Sequence, residues 1–190
     1  MNKIVNRLIY YKKRLRAYLY TNETILVLSR TKSTLIKTRT AVNNLVIKEV
    51  DHANVYDAQS FQNNTKIEYY INLLNSNNKG FYAYFNGKVV HANWIQTNGR
   101  VSIYSPFIKE DLTKNCIYMH SYKTDEEFRN RGITAYVIGY IINKFSNFDI
   151  LVSIRDNNIA SLKAAQNNGF KVIRKYKIFV LLGIKLIRKL

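Results

Sequence analysis

Two stretches decide how this chain folds: Y-K-T-D-E-E-F-R-N-R-G-I-T at residues 122–134 and N-I-A-S-L-K-A-A-Q-N-N-G-F at residues 158–170. In the first, a strand-like run enters a loop carrying Arg129, Arg131 and Gly132, and a helical apolar pattern begins there. The first N–H groups of a helix have no partner within the helix and sit at the positive end of its dipole, so they bind phosphate or pyrophosphate. Gly132 lets a ligand approach the backbone, and Arg129 or Arg131 adds charge-assisted bonds. Taken alone, the same residues also describe a solvated turn. In the second stretch a short helix over 159–168 ends at Gly169, the expected place for a left-handed C-terminal cap.

Working outward, Asn115–Lys123 reads as the strand before the loop. Arg131–Phe145 reads as a largely buried helix, because Ile133, Val137, Tyr140 and Ile141 lie on one side and Ala135, Ile138, Ile142 and Phe145 on another. Asp149–Ile154 is too continuously apolar for a solvated edge strand. Phe170–Val180 returns as strand. Upstream, Gly80–Phe85 and Lys88–Ile95 flank Asn86-Gly87, the strongest local hairpin signal, since both residues accept the positive φ of a type I′ turn. Arg100–Tyr104, Thr24–Ser29 and Leu45–Val50 are further strands. Residues 51–76 read as helix in two pieces broken near Asn63-Asn64. Residues 3–20 have helical apolar spacing with a basic opposite face. The order predicts an α+β or α/β domain on one mixed sheet.

The 190 residues are 47% apolar with a single proline, which suits one domain with a sizeable core. One cysteine, Cys116, excludes an internal disulfide framework and a multi-thiolate zinc site. His52, His91 and His120 are widely spaced, so no metal is expected. The net charge is +18. It is concentrated at the ends: residues 1–20 hold six basic side chains and residues 171–190 hold seven, with no acid in either stretch. Such ends suit lipid head groups, nucleic acid or a polyanionic substrate. No secretory signal is apparent, and the apolar run 178–184 is far short of a membrane span, so a cytoplasmic protein is expected, with peripheral contact at the inner membrane face through the basic termini.

The two stretches together resemble the GNAT family of N-acetyltransferases. Arg129-Asn130-Arg131-Gly132-Ile133-Thr134 is similar to that family's pyrophosphate loop except at Thr134, where Gly or Ala is usual. Asn158, Ser161, Gly169 and Phe170 fit its later motif at every position. The resemblance is good over residues 79–180 and thin before Leu45, so the chain reads as one domain in which 1–44 is a basic helix and strand extension. It implies a mixed, splayed sheet with helices on both faces, parting between strands 115–123 and 149–154. Acetyl-CoA, or another acyl-CoA, would enter that splay. Its pantetheine would bond the backbone of Tyr122 and Thr124, its pyrophosphate the loop Arg129, Asn130, Arg131, Gly132, Ile133 and Thr134, and Asn158 and Ser161 would approach it from the next motif.

The implied reaction is direct transfer of an acyl group to a primary amine without an acyl-enzyme. Such chemistry needs a base for the amine and a donor for the thioester oxygen. His120 is the candidate base, since an imidazole titrates near neutrality. Strand alternation places Tyr118, His120 and Tyr122 on one face. The tyrosine that protonates the leaving thiolate in many family members is replaced by Ala165. Tyr82, His91 and Trp94 are candidates for an acceptor wall, aromatic faces being suited to sugars and cations. Chain length and the basic C-terminus resemble family members that acylate amino sugars of surface polysaccharides. Nucleic acid is not the expected partner, and a homodimer is in keeping with the family. Two other classes fit the sequence: a member of the same fold that binds without catalysis, and a non-enzymatic binder of anionic lipid or nucleic acid.

Overall fold

A computed structural model describes residues 15–32, 43–104 and 106–190. Besides a helical stretch at residues 15–19, ten strands and three α-helices are described: β1 (Tyr20–Arg30), β2 (Leu45–Val50), α1 (Asn64–Asn75), β3 (Lys79–Phe85), β4 (Lys88–Gln96), β5 (Arg100–Tyr104), β6 (Ile108–Asp111), β7 (Cys116–Thr124), α2 (Ile133–Lys144), β8 (Asp149–Arg155), α3 (Ile159–Gln166), β9 (Lys171–Leu181) and β10 (Ile184–Lys189). Short 3₁₀ turns span Val55–Ser60 and Glu126–Phe128.

Eight strands form one sheet in the order β10-β9-β1-β8-β7-β4-β3-β2, and β5 and β6 form a separate ribbon. Within the sheet β7 and β8 run parallel, and every other neighbouring pair is antiparallel. The local signals account for these elements. Asn86 and Gly87 hold φ of 48° and 82°, as a type I′ hairpin requires. Asn63 caps α1 by accepting from the Lys66 N–H, and Gly169 ends the α3 turn at φ 83°.

Three cores cover the sheet. Helices α2 and α3 pack over Ile117, Met119, Ile150, Val152 and Leu28. On the other face the Val55–Ser60 turn and α1 enclose Tyr82 and Trp94. The β5–β6 ribbon covers Ile25, Val27, Tyr118, Ile178 and Val180. Helices therefore lie on both faces of a mixed sheet, the α+β (α/β three-layer) arrangement that the resemblance implies. Among the described residues no helix is long and apolar enough to cross a membrane.

Some features add to the expectation. β1, the strand expected at Thr24–Ser29, lies between β8 and β9, pairing Ile25–Arg30 with Ile150–Arg155 on one edge and Tyr20–Ser29 with Lys171–Leu181 on the other. Its Ile25, Val27 and Leu28 are buried because both faces of the sheet are covered there. β6 and β10 were not anticipated. Both are short and polar or fully exposed, so neither carries an apolar alternation to read. Of the expected helix over 3–20, residues 15–19 are described and helical, and the rest lies outside the described residues.

β7 and β8 pair only over Cys116–Met119 and Asp149–Val152. Past that point β8 continues as a partner of β1, while residues 120–124 of β7 keep only β4. The sheet is thus splayed between its two parallel strands.

Gly80 supports the β3–β4 hairpin by close approach: a Cβ there would lie 2.9 Å from the Trp94 ring and from Val50 Cβ. Gly80→Ala is expected to destabilise the fold by about 1–3 kcal/mol, the usual cost of overpacking. Urea unfolding followed by Trp94 fluorescence measures it, and an unchanged midpoint would refute the tight contact.

Candidate active site

The decisive local feature is a bulge in β7. Its register against β4 pairs Thr124 with His91 and Lys123 with Ala92, then His120 with Trp94. Ser121 and Tyr122 therefore both stand opposite Asn93, and Ser121 takes φ 50°. The extra residue breaks the alternation that was expected to hold Tyr118, His120 and Tyr122 on one face. Tyr118 belongs to the ribbon-covered core and stacks on His120, rings 5.8 Å apart and 11° from parallel. Tyr122 instead packs into the core beneath α2 and α3. Tyr118, His120 and Ser121 line one cavity, and Thr124, beyond the bulge, lines another.

The first cavity, about 180 Å³, lies between the end of β7, the loop into α2, and α3. Thr124, Phe128, Arg129, Asn130, Gly132, Ile133, Thr134 and Ala160 are among its lining. Asn130 and Gly132 both adopt left-handed conformations, φ 62° and 76°. Gly132 is the N-cap of α2 and offers no side chain, so the first N–H groups of the helix are uncapped. Space beside Gly132 is open, so its backbone angle is the reason for a glycine here.

The two arginines have local partners. Arg129 ion-pairs with Glu126 at 2.8 Å. Arg131 donates to the Glu127 carbonyl and lies over the Phe128 ring, 4.9 Å from its centre. Arg131, Tyr122, Asn158 and Ser161 do not line this cavity. Asn158 caps α3 by accepting from the Ser161 N–H at 3.2 Å. The Tyr122 hydroxyl meets Ser161, and burial raises the phenol pKa. Asn168 ties the two helices together, donating to the carbonyls of Ala135 and Ala164. Ala165 is buried in the same core.

The second cavity, about 450 Å³, is lined by residues from α1, β4, β5 and β7. His120 is half-buried at its wall, with Nδ1 3.0 Å from Ser121 Oγ and Nε2 3.2 Å from Asn78 Oδ1. Asn78 Nδ2 donates to the Ser76 carbonyl, which turns Oδ1 toward the imidazole. An amide oxygen only accepts, so Nε2 carries the proton and Nδ1 is the basic atom. Ser121 donates to Nδ1 and in turn accepts from the Tyr69 hydroxyl at 3.0 Å. Burial, and then the nearby Lys66 cation, lower the His120 pKa to about 4. The rest of the lining is Leu73, Ser76, Gln96, Ser102 and Tyr118, so among the described residues no carboxylate lines the cavity.

Tyr82, His91 and Trp94 do not form an acceptor wall. All three are fully enclosed, because β4 and β3 are covered on both faces. Tyr82 donates to the Val55 carbonyl, Trp94 packs on Tyr70 with centroids 5.1 Å apart, and His91 bonds Thr124. Sequence reasoning missed Tyr69, Asn78 and Ser121. Tyr69 and Asn78 are remote from the motifs, and nothing in the residue type of Ser121 announces a bulge.

No family model and no curated protein sequence matches this chain. Solved structures do. An acetyltransferase of the GNAT family from Colwellia psychrerythraea superposes with TM-score 0.58 at 13% identity, over 95% of this chain and 60% of that one. A GCN5-related N-acetyltransferase from Sphaerobacter thermophilus gives 0.60 at 10% identity, over 93% and 58%. A conserved protein of unknown function from Staphylococcus epidermidis gives 0.58 at 13% identity, over 95% and 68%. The chain spans about 60% of the length of the Colwellia protein and a similar share of the Sphaerobacter protein. Splayed parallel pair, uncapped helix at its mouth and matching superpositions lead to one conclusion: this chain has the fold of the GNAT acetyltransferases.

Proposed function

We propose that this protein is an acyl-CoA-dependent N-acyltransferase that acetylates the primary amine of an amino sugar. The observation that carries the reading is the bulge at Ser121, which sets a phosphate-binding helix end on one side of β7 and a histidine-containing polar cavity on the other. Two substrates can then meet across the splay without an intermediate held on the enzyme.

The residues present fit acetyl-CoA. The uncapped N–H groups of Ile133 and Thr134 suit a pyrophosphate, the free edge of residues 120–124 suits an amide-bearing arm, and Gly132 leaves the approach open. Bound acetyl-CoA supplies an activated acyl thioester. On the acceptor side, His120 takes the proton of the amine at Nδ1, with the Ser121 and Tyr69 hydroxyls forming the path to it. Asn78 fixes the ring and accepts from Nε2–H throughout. On the cofactor side, the Tyr122 phenol stays protonated and is held by Ser161, so it keeps a proton where Ala165 provides none.

The acceptor cavity argues for the amino sugar. Its hydroxyls, amides and imidazole match a ring of neutral hydroxyl groups, and a polycationic amine would meet no carboxylate on its walls. The cations of residues 171–190 lie on strands that are largely exposed. They favour an acceptor carried on phosphate, as a sugar nucleotide or a lipid-linked sugar.

Excess acetyl-CoA is expected to raise the melting temperature, and Gly132→Glu to abolish the shift by placing a carboxylate at the phosphate position. A hundredfold excess over Kd adds about 2.7 kcal/mol. A wild-type melt unmoved by millimolar acetyl-CoA would overturn the cofactor assignment. His120→Ala is expected to lower kcat with glucosamine about a hundredfold or more and to leave the acetyl-CoA melt shift intact. The base acts unprotonated, so kcat holds from pH 8 downward and falls only as pH approaches about 4. A limb near pH 6.5 would remove His120 as the base, and melt shifts without turnover of any amine would leave a binding protein.

A further inference from the structure

The geometry points to His91 as a positioning residue that, through Thr124, turns the Thr134 hydroxyl outward as a hydrogen-bond donor to the cofactor's pyrophosphate. This rests on the cofactor reading of the smaller cavity.

His91 is wholly enclosed on β4. Its Nδ1 lies 2.7 Å from Thr124 Oγ1, which lies 2.9 Å from Thr134 Oγ1. Thr124 and Thr134 both line the cavity, and Thr134 belongs to the uncapped first turn of α2. The three groups thus form a chain from the interior of the sheet to the place where an anion would sit.

Each hydroxyl has one proton and two lone pairs, so a chain in which every group hands its proton to the next runs in one of two directions. With the imidazole proton on Nε2, Thr124 donates to Nδ1, Thr134 donates to Thr124, and Thr134 shows the cavity only lone pairs. With the proton on Nδ1, the ring donates to Thr124, Thr124 donates to Thr134, and the Thr134 proton is released toward the cavity.

Two observations select the second direction. Nε2 has no partner among the described residues. A buried N–H without an acceptor is rarer in folded proteins than an acceptor left bare, so the proton belongs on Nδ1. Burial also holds the imidazole pKa down to about 3, so the ring is neutral and the chain keeps one direction across the physiological range. In addition, phosphate oxygens accept and do not donate. An outward Thr134 proton joins the uncapped N–H groups in serving them, whereas outward lone pairs would oppose them.

The test measures binding and needs no turnover. Isothermal titration with CoA and with dephospho-CoA, which shares the pyrophosphate and lacks the 3′-phosphate, is made on the wild type, Thr134→Val and Thr134→Ser. Thr134→Val is expected to weaken both ligands by the same factor of about ten, the worth of one charge-assisted bond. Thr134→Ser is expected to stay within about twofold of the wild type. Long-range ¹⁵N–¹H spectra of the histidine-labelled protein read the tautomer directly, without a substitution in the core, and His91 is expected to carry its proton on Nδ1. Wild-type affinity in Thr134→Val, unequal losses for the two ligands, or a proton on Nε2 would overturn the inference while leaving the cofactor site standing. A wild type that binds neither ligand would overturn the site, and the inference with it.

Discussion

The site depends on one backbone constraint: two residues of β7, Ser121 and Tyr122, oppose the single Asn93 of β4. A left-handed serine in a strand costs roughly 1–3 kcal/mol. The hydrogen bonds of its hydroxyl to His120 and Tyr69 offset this at about 1 kcal/mol each. The bulge changes which way β7 presents its side chains halfway along, just where its pairing with β8 ends. A regular strand would set His120 and Tyr122 on one face. With the bulge, the imidazole faces the larger cavity and the phenol packs beneath α2 and α3.

Burial sets the charge state around this point. Both histidines near the site are held neutral chiefly by desolvation, with Lys66 adding to the effect at His120. An imidazole so shifted stays unprotonated over a wide pH range. Its orientation is the more valuable property, because Asn78 and Ser121 hold both ring nitrogens. The arginines of the loop into α2 are held differently. Arg129 is tied to Glu126 and Arg131 to the 3₁₀ turn behind it, so they shape the loop as well as charge it.

Much of the fold was legible because local chemistry and global packing agree. Asn86-Gly87 demands its hairpin, the two-sided apolar helix 131–145 demands burial, and Gly169 marks an α3 end whose angle only glycine takes easily. The loop residues Thr124, Arg129, Asn130, Gly132, Ile133 and Thr134 converge on one cavity because they are contiguous or separated by a single turn. The acceptor side was not legible for the opposite reason. Tyr69, Asn78 and His120 come from separate elements, and only the sheet brings them together. Tyr82, His91 and Trp94 misled because alternation on a strand says which residues share a face, and not whether that face is open.

The position of β1 has a consequence for the order in which the molecule is made. Its partners are residues 150–155 and 171–181, near the opposite end of the chain. As the chain emerges during synthesis, an apolar strand with two unsatisfied edges must wait until residues 150–181 have been made. Meanwhile the β3–β4 hairpin and the β5–β6 ribbon can close on local contacts alone. One half of the sheet is thus early and local, the other late and dependent on long loop closure. The parallel pair between them, where the sheet opens, is also the seam at which the two halves of the folding reaction join.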